Sequence, residues 1–217
     1  MRPARLASRI LRATVLVSLG ASIVTCATNP VTGRRELAFV SESQEIQMGR
    51  EYSGQVAQEM GVYPDSGLQG YVGRIGKEMA VLTERPKLPW TFTVMDDPQV
   101  NAFALPGGYI FVTRGILTHM NSEAELASVL GHEIGHVTAR HSVQQMTRQQ
   151  LAQIGMVAGA IASDRVAQNL GLISQSLGVL FLKYSRDDES QADGLGFRYA
   201  LTDGYDVRKM VDMFAIL

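Results

Sequence analysis

The sequence predicts a helix-rich α+β domain with a small sheet beside one central helix. Three observations predict it. Ser41 to Gln44 and Ser122 to Glu125 are capping boxes, each opening a proline-free stretch long enough for several helical turns. Trp90 to Met95 alternates apolar and polar residues at the period of a half-buried strand. Two short apolar runs, Asn101 to Ala104 and Tyr109 to Thr113, flank Pro106-Gly107-Gly108, where glycine permits a tight turn.

The elements follow in order. Arg2, Arg5, Arg9 and Arg12 precede an uncharged apolar stretch, Ala13 to Val24. That is the layout of a secretory signal peptide over residues 1–25, and it is short for a membrane span. The sole cysteine, Cys26, follows it and has no partner for an internal disulfide. Its specific reading is lipid attachment as the mature first residue, although Thr25 stands where a lipobox usually has a smaller residue. Residues 26–40, with Asn29-Pro30 and Thr32-Gly33, read as a tether. A domain over 41–217 follows. A first helix runs from the Ser41 box to about Met60, Gly61 to Gly67 is a loop, and a second helix covers about Leu68–Leu82. Pro86 and Pro89 break the chain before the first strand, and Asp96-Asp97-Pro98 turns after it. The central helix is expected from about Glu123 to Gln145, with an apolar stripe of Leu126, Val129, Leu130, Ile134 and Val137. Leu151 to Leu182 is rich in Gly, Ala, Met and Leu but is interrupted by Asp164 and Arg165. Its uninterrupted runs are too short to span a membrane, and a mobile or partly helical cover over the site is expected. Another helix runs roughly from Arg186 to Leu201.

The central helix carries His132-Glu-Ile-Gly-His136. Positions i and i+4 lie about 40° apart around a helix, so both imidazoles project from one face and can grip one zinc ion. Glu133 stands beside them, where it can take a proton from a zinc-bound water. An exposed helix with two solvated histidines is the bland alternative. Only four histidines occur in the chain, and two of them take the ligand spacing.

A catalytic zinc site usually has a third protein ligand. His141 lies about 140° round a continuous helix from His136, so it cannot join without breaking that helix. Ala139 and Ser142 exclude the longer three-histidine motif H-E-x-x-H-x-x-G-x-x-H. His119 precedes the capping box and is a weak candidate. A carboxylate from the later helix remains. Glu189 and Asp193 are again i and i+4; one can bind zinc while the other holds a ligating imidazole through its second nitrogen. With Asp187 and Asp188, they would otherwise read as an acidic helix start.

His132-Glu-Ile-Gly-His136 followed by Glu189-Ser-Gln-Ala-Asp193 resembles the H-E-x-x-H…E-x-x-A-D signature of the HtpX and CaaX-prenyl-protease type of gluzincin zinc metallopeptidases. Asn101-Ala-Phe-Ala-Leu-Pro-Gly-Gly108 and the run to Thr113 are similar to the strand pair preceding the zinc helix in that family. Cys26 to Leu37, then Ser41 to Gly49, look like its periplasmic BepA-like lipoprotein branch. The resemblance implies a zincin-type fold and one Zn2+ per chain, held by His132, His136 and Glu189. It implies Glu133 as general base, Asp193 as the carboxylate behind a ligand, and Asn101, Ala102, Phe103 and Ala104 as the edge that binds substrate backbone. It further implies a zinc endopeptidase that cleaves unfolded or misassembled envelope proteins near the outer-membrane assembly machinery. The protein would be exported, anchored through Cys26, and sorted to the outer membrane because residue 27 is not Asp. Members usually add a histidine or arginine downstream of the acidic helix. The apolar pattern from Val207 to Leu217 ends without a helix stop, so the domain is expected to be C-terminally incomplete. A lipoprotein chaperone or scaffold with a latent or structural zinc site is the alternative; an intact Glu133 favours catalysis.

Composition fits one folded domain. Hydrophobic residues make up 46% and charged residues 19%, and the net charge of −1 carries no signature of nucleic-acid binding.

Overall fold

The computed structural model describes residues 25–162 and 184–209. The proposed signal peptide up to residue 24, residues 163–182 of the expected cover and residues 210–217 lie outside them. Two short strands, β1 (Thr25–Thr28) and β2 (Arg35–Ala38), come first, followed by helices α1 (Glu42–Met60) and α2 (Ser66–Ala80). Strands β3 (Thr91–Met95), β4 (Ala102–Leu105) and β5 (Tyr109–Thr113) lead into the one-turn helix α3 (Arg114–Leu117). Helices α4 (Glu123–Thr138), α5 (His141–Ala162) and α6 (Arg186–Thr202), with a 3-10 turn at Val207–Lys209, complete the elements among the described residues. The α+β expectation holds. No described helix is long and apolar enough to cross a membrane.

Strands β3, β5 and β4 form one sheet in that order, with β5 parallel to β3 and antiparallel to β4. Side chains alternate across a strand, and both faces of β5 are covered. Ile110 and Val112 pack with Val72, Ile75 and Met79 of α2 and Leu130 and Ile134 of α4. Tyr109 and Phe111 join Val56, with Tyr52 of α1 against the same cluster. This central position explains why Tyr109–Thr113 is buried throughout and does not show the alternation of β3. The turn before β5 needs its glycines: Gly107 and Gly108 have φ of 81° and 98°.

The capping box at Ser41 forms as expected. Its hydroxyl accepts from the Gln44 amide, and the Gln44 side chain accepts from the Ser41 amide. Helix α2 starts two residues before Leu68 because Asp65 is the cap, its carboxylate accepting from the Leu68 amide at 3.0 Å.

Two expectations need correction. The helix expected over Glu123–Gln145 is two helices. It stops at Thr138, and Arg140 takes φ 62°, a left-handed conformation that costs a non-glycine residue about 1–2 kcal/mol. No glycine or proline marks the break. Tertiary contacts hold it: Arg140 donates to Glu45 Oε2 at 3.1 Å and to the Val40 carbonyl at 2.9 Å. The second correction concerns residues 26–40, which do not run as a loose tether. Thr25–Thr28 pairs antiparallel with Arg35–Ala38, with Cys26 in register with Leu37. Asn29 closes the turn by accepting from the Val31 and Thr32 amides, and its amide group donates to the Ala139 carbonyl at the helix break.

Glu45 organises this end of the domain although it is almost fully buried. Arg85 grips it with both terminal nitrogens, at 2.8 and 3.0 Å, and also donates to the Val137 carbonyl. Replacing Arg85 with Lys keeps the charge but loses the fork. An Arg85→Lys variant should lose about 2 kcal/mol of stability, read as a lower urea midpoint at unchanged slope. An unchanged midpoint would show that the network is dispensable.

Candidate metal centre

The site is built where α4 meets α6. The two helix axes come together because both present small residues. A Cβ on Gly131 would sit 2.9 Å from the Gly196 carbonyl oxygen, one on Gly135 2.9 Å from the Ala192 oxygen, and one on Gly196 2.7 Å from the His132 nitrogen. Each of those partners is backbone and cannot swing away. Bare helix faces therefore touch, and the acidic residues of α6 reach the histidines of α4.

Helix α6 divides its acids between two tasks. Ser185 is the N-cap, and Asp188 closes a capping box by accepting from its amide at 3.1 Å. Glu189 and Asp193, one turn apart, face the histidines. Glu189 Oε2 lies 3.4 Å from His132 Nε2 and 3.7 Å from His136 Nε2, and the two Nε2 atoms are 3.0 Å apart. Among the described residues, these three form the one group of ligand atoms able to hold a metal ion. Donor atoms bound at 2.0–2.1 Å in a tetrahedral site lie about 3.3 Å from one another, and the triangle here has that size.

The hydrogen bonds behind the imidazoles sharpen this fit. His132 Nδ1 donates to Asp193 Oδ1 at 2.8 Å. His136 Nδ1 lies 2.9 Å from His141 Nδ1. With a hydrogen on each Nδ1, both Nε2 atoms carry lone pairs, and these converge with a carboxylate oxygen on one point. Three acceptors converging there need a cation. Burial opposes charge on His132, but Glu189, Glu133 and Asp193 outweigh it and push its pKa up to about 9. The same histidines hold Glu189 well below the usual carboxylate range.

Glu133 is buried on α4 beside this cluster. On the sheet side, β4 is an outer strand next to α4. Ala102 and Ala104 pack toward α4, while Phe103 stacks on Phe111 on the opposite face with centroids 5.0 Å apart. Asn101 is exposed at the strand start.

Residue spacing missed four side chains: His141, Gln191, Tyr184 and Ser142. His141, placed by a continuous helix on another face, is carried to His136 by the break at Arg140. It is almost fully buried, and its Nε2 lies 2.9 Å from Gln191 Oε1 of α6. Tyr184 stacks on the His136 ring with centroids 4.1 Å apart, and its hydroxyl pairs with Ser142 Oγ at 2.7 Å. Burial pushes Tyr184 up to about 12, so it stays neutral. Burial likewise lowers the pKa of His141 and favours its neutral ring. His119 does not join the cluster; its Nδ1 bonds the Gly115 carbonyl.

The sequence model of Peptidase family M48 matches residues 66–217, the span that holds all of these residues. The chain belongs to peptidase family M48. Over 182 residues the M48 chain is 31% identical to the "Putative beta-barrel assembly-enhancing protease" of Vibrio cholerae serotype O1, covering 80% of this chain and 38% of that protein. It is 28% identical over 192 residues to the "Beta-barrel assembly-enhancing protease" of Escherichia coli K12, covering 84% and 39%. It is 34% identical over 172 residues to the "Mitochondrial metalloendopeptidase OMA1" of Schizosaccharomyces pombe, covering 77% and 50%. The M48 chain thus spans half the length of these relatives or less.

Proposed function

We propose that this M48 chain is a zinc endopeptidase that cleaves unfolded or misassembled proteins of the bacterial envelope. The convergence of two imidazole lone pairs and a carboxylate oxygen beside Glu133 carries this reading. His132, His136 and Glu189 hold the ion; two nitrogens and an oxygen suit zinc. Asp193 fixes the tautomer of His132. When bound, zinc supplies a Lewis acid that polarises a carbonyl and lets water ionise near neutral pH. Glu133 takes the proton of the attacking water and returns it to the leaving amine. The Asn101–Ala104 edge aligns an extended substrate by strand addition, which reads backbone and tolerates varied side chains. The names of the bacterial relatives, beta-barrel assembly-enhancing proteases, support a place in β-barrel assembly. A lipid on Cys26 would hold the enzyme at the outer membrane.

The test is cleavage of casein by zinc-loaded protein, stopped by a chelator and restored by zinc. Casein binding that survives chelation, with no cleavage in either state, would replace this reading with a chaperone.

Zinc binding should depend on pH with a defined sign. With its pKa pushed up to about 9, His132 of the metal-free site should carry a proton below that pH, which zinc must displace. Apparent affinity should fall about tenfold per pH unit as pH drops below 9. Without metal, the raised His132 pKa contributes stability that is full below its unfolded value of about 6.5. That contribution is lost as pH rises through about 9. A zinc Kd independent of pH between 6 and 9 would contradict that proton on His132.

A further inference from the structure

From the hydrogen-bond chain behind the second histidine, we infer that His141 is a positioning residue: it sets the tautomer and ring orientation of His136, and Gln191 sets those of His141. This rests on the metal-site reading above.

The argument runs outward from the cluster. A metal at His136 Nε2 requires the hydrogen on Nδ1. That hydrogen is donated over 2.9 Å to His141 Nδ1, which must then be the unprotonated nitrogen. His141 therefore carries its hydrogen on Nε2, where it meets Gln191 Oε1 at 2.9 Å, an atom that only accepts. Every donor in the chain faces an acceptor, in one direction only. The neutral His141 does for His136 what the Asp193 carboxylate does for His132. The two ligands differ in what holds them: one is backed by a charged group that is nearly half exposed, the other by a neutral, buried relay.

The local fold is arranged around this contact. His141 is the first residue of α5, and only the left-handed turn at Arg140 lets that helix start with its ring against His136. Ser142, the next residue, holds the hydroxyl of Tyr184, whose ring covers the face of His136. The first two residues of α5 thus brace one ligand from its edge and, through Tyr184, from its face. Gln191 lies between Glu189 and Asp193 in sequence, so α6 contributes to the carboxylate corner and to the support of both imidazoles.

The test uses three substitutions in the full chain. An Asn amide oxygen overlays the Nδ1 position of a histidine, whereas a Gln amide overlays Nε2. His141→Asn keeps the acceptor for His136, His141→Gln loses it, and His141→Phe removes both polar atoms at similar volume. Zinc Kd is measured by competition with a chromophoric chelator, and folding by circular dichroism of the metal-free protein. His141→Gln and His141→Phe should bind zinc about 10–100-fold more weakly, the usual cost of losing a group behind a metal ligand. His141→Asn should stay within about threefold of wild type. Equal Kd values for the Asn and Gln variants would overturn the inference, whether both are weak or both normal. Should the Phe variant fail to fold, the Asn and Gln pair decides alone. Absence of zinc binding by the wild type would instead sink the metal-site reading itself.

Discussion

Glu133→Gln should bind zinc as tightly as the wild type and cleave casein about a thousandfold more slowly, within the range expected when a general base is lost. The substitution is nearly isosteric and Glu133 is buried, so packing on α4 should persist. His132 is held by Asp193 and His136 by His141, and both Nε2 atoms meet Glu189, so these supports remain in the variant. The amide cannot accept the proton of an attacking water. Equal zinc content with lost turnover would separate chemistry from binding. Wild-type turnover in the Gln variant would remove Glu133 from the mechanism, and loss of zinc would mean that it shapes the site as well.

The second large effect lies outside the ligands. Gly196→Val should destabilise the domain by about 3 kcal/mol, the upper end of overpacking, and weaken zinc binding more than 100-fold, beyond the loss of one supporting group. A Cβ at Gly196 would lie 2.7 Å from the His132 nitrogen and 2.8 Å from the Gly131 carbonyl carbon, both backbone. The helices can accept it only by separating, which draws Glu189 and Asp193 away from the histidines together. Gly194 is the control. It lies on the same helix with nothing within 4 Å of an added Cβ. Gly194→Ala should raise stability by up to about 1 kcal/mol through helix propensity and leave zinc binding unchanged. If Gly196→Val binds zinc normally, close helix contact is not what assembles the site.

Much of the candidate site was legible because it is written in helical phase. His132 with His136, and Glu189 with Asp193, are one-turn pairs, and a regular helix projects such pairs from one face regardless of what surrounds it. The capping box at Ser41 was legible for the same reason: its bonds are local. Where local and long-range forces compete, the reading failed. The pattern from Glu123 to Gln145 has no proline and no glycine at the break, yet the helix ends at Thr138 because Glu45 and the Val40 carbonyl, about a hundred residues earlier, hold Arg140 in a left-handed turn. Asn29-Pro30 and Thr32-Gly33 do make a turn, but it belongs to a hairpin docked on the Ala139 carbonyl, and that docking site exists only because of the break.

The sequence by itself determined the α+β class, the strand pair around Gly107 and Gly108, and which residues share a helix face, since each follows from periodicity and local hydrogen bonds. It also carried a family resemblance, with which the M48 match agrees. Only the tertiary structure decided that Gly131, Gly135 and Gly196 serve to bring two helices into backbone contact, because a glycine's role depends on what its missing side chain would strike. It alone turned His141, out of phase with His132 and His136 on any continuous helix, into the hydrogen-bond partner of His136. A single residue in a left-handed conformation reorients everything after it, and that conformation is held by contacts distant in sequence that no local pattern encodes.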